Sequence, residues 1–319
     1  MRSMFNPARD RYIVVMYHYI LDKRPDRQGM HPRSPTDFER ELDFLTDHYR
    51  PGTVPEVFAA ARAGGPPTCA LTFDDATRDQ YDNAAPRLEA QGWPGTFFVI
   101  SSALAGALPI THSLHILFSH WSGKQVVEHY HRFLDRAGKS IGRKQLTIPT
   151  HHHLNPLRLH DDIYTANFKE YFPSLPLVLQ KQFLTIVFQE LHLDFRLLTA
   201  ELFMQASELQ ILARRGHIIG VHTHHHRPFD LLTIPEIGAE LKQSQKILAE
   251  ILGSPPTIIS YPYGRLPEKP SPLFKLLVQI GIKHAVVMGD RAVEDTDNPF
   301  LIPRFNTNHL RDWLTAGRP

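Results

Sequence analysis

Over the first hundred positions, short runs of consecutive apolar residues alternate with stretches whose apolar residues recur every three or four. Residues 12–19 (YIVVMYHY) are β-branched and aromatic, which predicts a strand ending at His18. Ser34-Pro35-Thr36-Asp37 opens a helix in which Phe38, Leu42 and Leu45 hold helical spacing. Residues 54–63 give a second short helix, closed by Gly64-Gly65-Pro66-Pro67. Residues 70–73 are apolar, too short and too unbroken for an amphipathic helix, and read as a buried strand. A helix over 83–91, a stop at Gly92 and a strand over 95–100 follow. Strand and helix taken in turn argue for a parallel sheet or barrel.

From about residue 108 to 198 no strand pattern is visible. Residues 115–134 and 177–191 carry amphipathic helical patterns, so the stretch reads as a helical insertion spanning about 105–200, since a structureless loop of that length is rare. Within it, His151-His152-His153 has no cysteine or paired acid nearby and reads as a solvated loop. Alternation then resumes. A helix over 207–215, with Ser207 as its cap, leads to a strand over 217–221 that runs into His222-Thr223-His224-His225-His226. A long helix over 235–252, stopped by Gly253, leads to a strand over 257–260 and then Tyr261-Pro262-Tyr263-Gly264. A helix over 273–280, a strand over 285–288 and a last short strand or tail over 301–305 complete the pattern. The expected architecture is α/β, a distorted (β/α) barrel with a helical insertion, in a single domain over 1–319.

Composition narrows the function classes. The 319 residues are 42% hydrophobic and 21% charged, ordinary for a globular chain with a full core, and the net charge of +2 provides no broad basic field for nucleic acid. One cysteine, Cys69, excludes an internal disulfide framework and reads as a small core residue. No apolar run reaches the length of a membrane span, and the N-terminal residues lack the apolar segment of a signal peptide, so the expected location is the cytoplasm. Twenty histidines make a metal site worth seeking.

In a parallel barrel the C-terminal strand ends converge on one face. Four such ends carry reactive groups: His18, Asp74 with Asp75, the histidines from His222 to His226, and the 261–264 segment. Adjacent residues on an extended chain point opposite ways, so one of the two aspartates can hold a metal while the other takes a proton. His222, His226 and Asp75 would make a two-histidine, one-carboxylate set that suits Zn²⁺ and other divalent ions. His224 and His225 compete as ligands, His224 most directly because alternation along a strand puts it on the same side as His222.

These residues carry a resemblance. Thr72-Phe73-Asp74-Asp75, His222-Thr223-His224-His225-His226 and Tyr261-Pro262-Tyr263-Gly264 are similar to the TFDDG, H-[ST]-x-x-H and Pro-Tyr-Gly motifs of the polysaccharide deacetylases, carbohydrate esterase family 4. Val15-Met16-Tyr17-His18 resembles members whose last catalytic motif is moved to the N-terminus. The match covers about 12–100 and 200–305. It implies a metal-dependent hydrolase that removes N-acetyl groups from amino sugars of a glycan or glycan precursor. It implies Asp75, His222 and His226 as ligands to a divalent ion, Zn²⁺ with Co²⁺ or Ni²⁺ as alternatives. Asp74 would be the general base, the Tyr263 backbone N–H an oxyanion donor and His18 the acid toward the leaving amine, with His309 as second candidate. Three departures stand out. Ala76 replaces the glycine after the acid pair, Ser260 and Tyr261 stand where the third motif has an arginine, and no C-terminal Leu-x-His appears. Arg304 is a candidate to orient Asp74, or equally a structural or surface ion pair. Tyr19, Phe229, Tyr261 and Tyr263 are candidates for sugar stacking or for the core. The rival readings are a deformylase or other N-acyl hydrolase on the same scaffold, and a catalytically silent glycan-binding protein.

Overall fold

Tyr12–Tyr17 and Thr68–Phe73 pair in parallel along their whole length, and that pairing closes the sheet on itself. The computed structural model describes residues 5–24, 29–137, 148–155 and 161–307. Its strands are β1 (Tyr12–Tyr17), β2 (Arg50–Gly52), β3 (Thr68–Phe73), β4 (Gly95–Val99), β5 (Ile218–Val221), β6 (Ile258–Ser260), β7 (His284–Met288) and β8 (Ile302–Asn306). The hydrogen-bonded order is β1-β8-β7-β6-β5-β4-β3-β2, with β1 also joined to β3, and every pairing is parallel. Seven strands therefore form a closed barrel, as the alternation predicted, and β2 lies outside the ring against the first half of β3. The sequence pattern missed β2 because Arg-Pro-Gly carries turn chemistry.

The helices are α1 (Pro35–His48), α2 (Val54–Ala63), α3 (Ala85–Ala90), α4 (Ile110–His120), α5 (Gly123–Ala137), α6 (Ile163–Tyr171), α7 (Leu177–Glu190), α8 (Phe195–Leu202), α9 (Ala206–Arg214), α10 (Ile234–Leu252) and α11 (Ser271–Gln279). Their ends follow local chemistry. Ser34 Oγ accepts the Asp37 N–H, Thr53 with Glu56 and Thr233 with Glu236 form reciprocal capping boxes, and Gly253 ends α10 at φ 82°. Caps of this kind contribute about 1 kcal/mol each. Two expectations are corrected. The 115–134 pattern is broken at Trp121-Ser122, where the Ser122 N–H and hydroxyl both donate to Gln125 Oε1 and start a new helix. Ser207 is no cap, because α9 already begins at Ala206 and the Gln205 N–H donates to Glu208 Oε2 instead.

The chain divides into two compact units, one of Met1–Asp22, Pro32–Ala107 and Thr199–Pro319, the other of Lys23–His31 and Leu108–Leu198. The second unit has its own aromatic core, with the Tyr130 ring edge-on to Phe168 and Phe183, and Phe168 stacked on Phe172. His151, His152 and His153 are exposed.

In the first unit the period of two along each strand separates two cores. Outward residues Ile13, Val15 and Tyr17, Cys69, Leu71 and Phe73, and Phe97 and Val99 pack under the helices through Phe38, Leu42, Leu88, Leu241 and Leu277. Inward residues Val14, Ala70, Phe98, Ile258, Val286 and Ile302 form a separate cluster with Val54, Val57 and Ala61 of α2. Phe58 packs edge-on against His284, the first residue of β7, and the Tyr12 hydroxyl donates to Gly65 O just past α2. α2 thus fills the N-terminal end of the barrel, and the inward polar residues collect at the C-terminal end. Gly220 is required in that interior, since a Cβ there would lie 2.5 Å from the Phe98 ring. No helix among the described residues is long and apolar enough to cross a membrane.

Candidate metal centre and active site

Ala70, Thr72 and Asp74 continue one inward-facing row of β3, and the Asp74 N–H still donates to Tyr17 O at 3.0 Å. Asp75 would face outward if the strand ran on. Instead its backbone turns left-handed (φ 78°), as does that of Ala76 (φ 55°), and the two carboxylates end on one side. Without glycine at position 76 this turn costs about 1–2 kcal/mol, and the Met204 N–H holds it by donating to Ala76 O at 3.1 Å.

His222 extends the inward row of Gly220 at the end of β5, and its Nδ1 lies 2.8 Å from Ser260 O. A carbonyl can only accept, so Nδ1 carries the proton and the neutral ring turns the Nε2 lone pair toward Asp75 and His226. The three facing atoms form a triangle: His222 Nε2 to His226 Nε2 3.1 Å, His222 Nε2 to Asp75 Oδ1 3.5 Å, and His226 Nε2 to Asp75 Oδ1 3.6 Å. Tetrahedral ligands at metal–ligand distances near 2.1 Å stand roughly 3.3–3.5 Å apart, so the donor set fits a divalent ion with one position left open. All three residues are buried, and among the described residues they form the cluster able to hold a metal.

The alternation that favoured His224 is broken by Thr223 at φ 63°, and His226 at φ 57° returns its ring to His222. His224 Nδ1 instead meets Ser101 Oγ at 2.9 Å, and His225 Nδ1 meets Glu240 Oε1 at 2.8 Å. The Glu240 carboxylate is buried, which raises its pKa, but the hydrogen bonds from the His225 ring and amide hold it below the usual range.

Asp74 has a different environment. Arg304 Nη1 and Nη2 donate to its Oδ1 and Oδ2 at 2.7 and 2.8 Å, and the Ser260 hydroxyl donates to Oδ2 at 3.2 Å. Arg304 also donates to Ser260 Oγ and to Thr72 Oγ1, and its guanidinium lies 5.7 Å over the Phe98 ring. Burial raises the Asp74 pKa, but the charge and the hydrogen bonds of Arg304 outweigh it and hold the carboxyl at about 2. Asp74 Oδ2 stands 4.0 Å from His222 Nε2, beside the donor triangle. The missing third-motif arginine thus has a counterpart on another strand, and Ser260 joins the two halves of the site, its carbonyl on His222 and its hydroxyl on Asp74.

His18 stands exposed at the end of β1, next in the chain to Tyr17, whose carbonyl accepts the Asp74 N–H. Gln80 Nε2 donates to both His18 O and Asp74 O, at 2.7 and 2.6 Å, tying the two strand ends together. Tyr263 is half-buried in a left-handed turn (φ 59°), its ring 4.8 Å from that of His226. Tyr19, Phe229 and Tyr261 are buried, and the Tyr261 hydroxyl donates to Phe300 O at 2.9 Å, so these three belong to the core. His309 lies outside the described residues. Sequence reasoning gave no role to Thr72, Ser260, Gln80 or Glu240. Inward strand parity was available for the first two, while Gln80 and Glu240 gave no signal.

The family model described as polysaccharide deacetylase matches residues 61–175 and 181–283, about two thirds of the chain. The chain belongs to the polysaccharide deacetylase family. Among solved structures this deacetylase is similar to the deacetylase PplD of Streptococcus pyogenes in complex with acetate, at 15% identity and TM-score 0.57, over 96% of this chain and 98% of that one. It is similar to IcaB from Ammonifex degensii at 15% identity and TM-score 0.55, covering 93% and 91%. A de-N-acetylase from Aggregatibacter actinomycetemcomitans aligns at 14% identity and TM-score 0.53, covering 93% and 94%. At these identities the likeness is one of fold. No curated protein matches the chain.

Proposed function

We propose that this polysaccharide deacetylase hydrolyses N-acetyl groups of amino sugars in a glycan or glycan precursor, with a divalent ion held by Asp75, His222 and His226. The observation that carries the reading is the separation of the two adjacent aspartates, Asp75 into the donor triangle and Asp74 into a bidentate pair with Arg304. Asp74, Asp75 and Arg304 together carry one net negative charge with both imidazoles neutral, which favours a bound cation in a buried setting. Zn²⁺ suits two imidazoles and one carboxylate at this spacing, and Co²⁺ or Ni²⁺ suit the same donors. When bound, the ion supplies Lewis-acid polarisation of the acyl oxygen and acidifies water.

The protein's own groups account for the remaining steps. Asp74 is ionised at neutral pH and accepts the proton of the attacking water. Arg304 fixes its orientation and lowers its basicity, so the alignment of the carboxylate rather than a high pKa favours the transfer. The Tyr263 backbone N–H, presented by a left-handed turn, is the donor for the developing oxyanion. His18 gives a proton to the leaving amine, so that amide and water become acetate and free amine. The acetate reported with the Streptococcus pyogenes deacetylase is the acid such a reaction releases.

The test compares acetate release from N-acetylated oligosaccharides by wild type and Asp74→Asn, each with its metal content measured. Loss of release in the variant at unchanged metal content is expected. Equal activity would remove Asp74 as base. A wild type with neither metal nor acyl release would favour a silent glycan-binding protein, and release of formate rather than acetate from matched substrates would favour a deformylase.

A further inference from the structure

We propose that Glu240, in the middle of α10, is a positioning residue that shapes the 223–226 loop and so sets the affinity of the site for its cation. The inference rests on the assignment of Asp75, His222 and His226 as ligands.

His226 Nε2 returns to within 3.1 Å of His222 Nε2 because the chain reverses tightly between them. The reversal needs left-handed backbone at Thr223 and His226, and a β-branched threonine resists that conformation. Such a loop persists only where its surroundings over-determine it. Part of the restraint is local, since Thr223 Oγ1 accepts the His226 N–H at 3.0 Å and the Ser101 and Ser102 N–H groups donate to Thr223 O and His224 O, both at 3.1 Å.

The rest comes from Glu240. Its Oε2 accepts two consecutive loop amides, His224 N–H at 3.1 Å and His225 N–H at 2.7 Å, while Oε1 faces His225 Nδ1 at 2.8 Å. The residue is 8% exposed, and among the described residues the hydrogen bonds of its carboxylate go to this loop. Ile237, Leu241 and Leu248 seat α10 in the core, so the carboxylate is presented from a rigid element. A buried carboxylate is expensive without such donors, and here they come from the segment that joins two ligands. Partners behind the ligands commonly govern metal affinity in this way.

The experiment uses the full chain with Zn²⁺ as the probe. Glu240→Met keeps length and bulk but removes both acceptors. Zn²⁺ affinity, read by chelator competition, is expected to fall about 10–100-fold, and amide exchange at His224 and His225 in the metal-free protein is expected to quicken. Glu240→Gln is expected to restore both readouts, because its amide oxygen still takes the two backbone N–H groups and its NH₂ donates to His225 Nδ1 once that ring carries its proton on Nε2. Wild-type affinity and exchange in Glu240→Met would overturn the proposal. So would a Gln variant as weak as the Met variant, which would assign the loss to charge. If the Met variant does not fold, any loss of affinity in Glu240→Gln counts against the proposal and full retention supports it. A wild type that takes up no Zn²⁺ would overturn the ligand assignment, and the exchange comparison would still decide whether Glu240 holds the loop.

Discussion

Arg304 of β8 and Asp74 just past the end of β3, 230 residues apart in the chain, form a buried bidentate ion pair at 2.7 and 2.8 Å. The pair spans the barrel interior, and Thr72 and Ser260 satisfy further donors of the same guanidinium. It allows an ionised carboxylate to persist in an apolar barrel, and it makes the site depend on closure of the sheet through β1, since β8 and β3 meet only across that strand.

Removing one member of a buried pair leaves an uncompensated charge. Arg304→Met is expected to destabilise the protein by about 3–5 kcal/mol in urea unfolding. Arg304→Lys keeps the charge but loses the planar fork, so it is expected to cost less stability. In that variant the acid limb of kcat/KM should move to higher pH, because the grip that lowers the Asp74 pKa is weaker. With the carboxyl held at about 2, the pair stabilises the fold above the ordinary value of 3.8, and that contribution is lost as pH falls through about 2.

Ligand identity separates by metal analysis. His222→Ala and His226→Ala are each expected to reduce bound metal below detection at micromolar Zn²⁺, and Asp75→Asn to weaken it by about 10-fold or more. His224→Ala is expected to keep full occupancy, since its ring faces Ser101. Loss of metal in His224→Ala alone would transfer the ligand role to that residue.

His18 and Asp74 should fail at different stages. A general acid or base contributes about 10²–10⁴-fold, so Asp74→Asn and His18→Ala are each expected to lose activity on that scale. The two part on a substrate with a good leaving group, which needs no proton from His18. There the His18 variant should recover and the Asp74 variant should not.

Asp79 sets a stability trend opposite in sign to that of Asp74. It is half-buried and accepts the Ile20 N–H, and its desolvation lifts its pKa from 3.8 to about 6. The folded protein then binds the proton more tightly than the unfolded chain. This contribution is present below pH 3.8 and is lost as pH rises through about 6, about 3 kcal/mol in all at 1.36 kcal/mol per unit. Asp79→Asn keeps an acceptor for Ile20 and is expected to flatten that part of the curve. Urea midpoints of both proteins at pH 4 and pH 7 check it.

The short apolar runs were enough to locate six of the eight strands among the described residues, with β8 read as a strand or tail, because burial of a β-segment leaves a local mark that needs no knowledge of its neighbours. The same holds for the helix caps at Ser34 and Gly253. The motif residues at strand ends were visible for a similar reason: a parallel barrel brings such ends together whatever their separation. Three things had no local mark. The choice of His226 over His224 depends on a positive φ at Thr223, which a threonine does not advertise. The role of Arg304 depends on barrel closure and on inward parity in β8, and both are relations between distant segments. Glu240 looks like any polar residue on a helix until the 223–226 loop folds against it, because hydrogen bonds to a carboxylate form at the distances that packing sets rather than at any spacing along the chain.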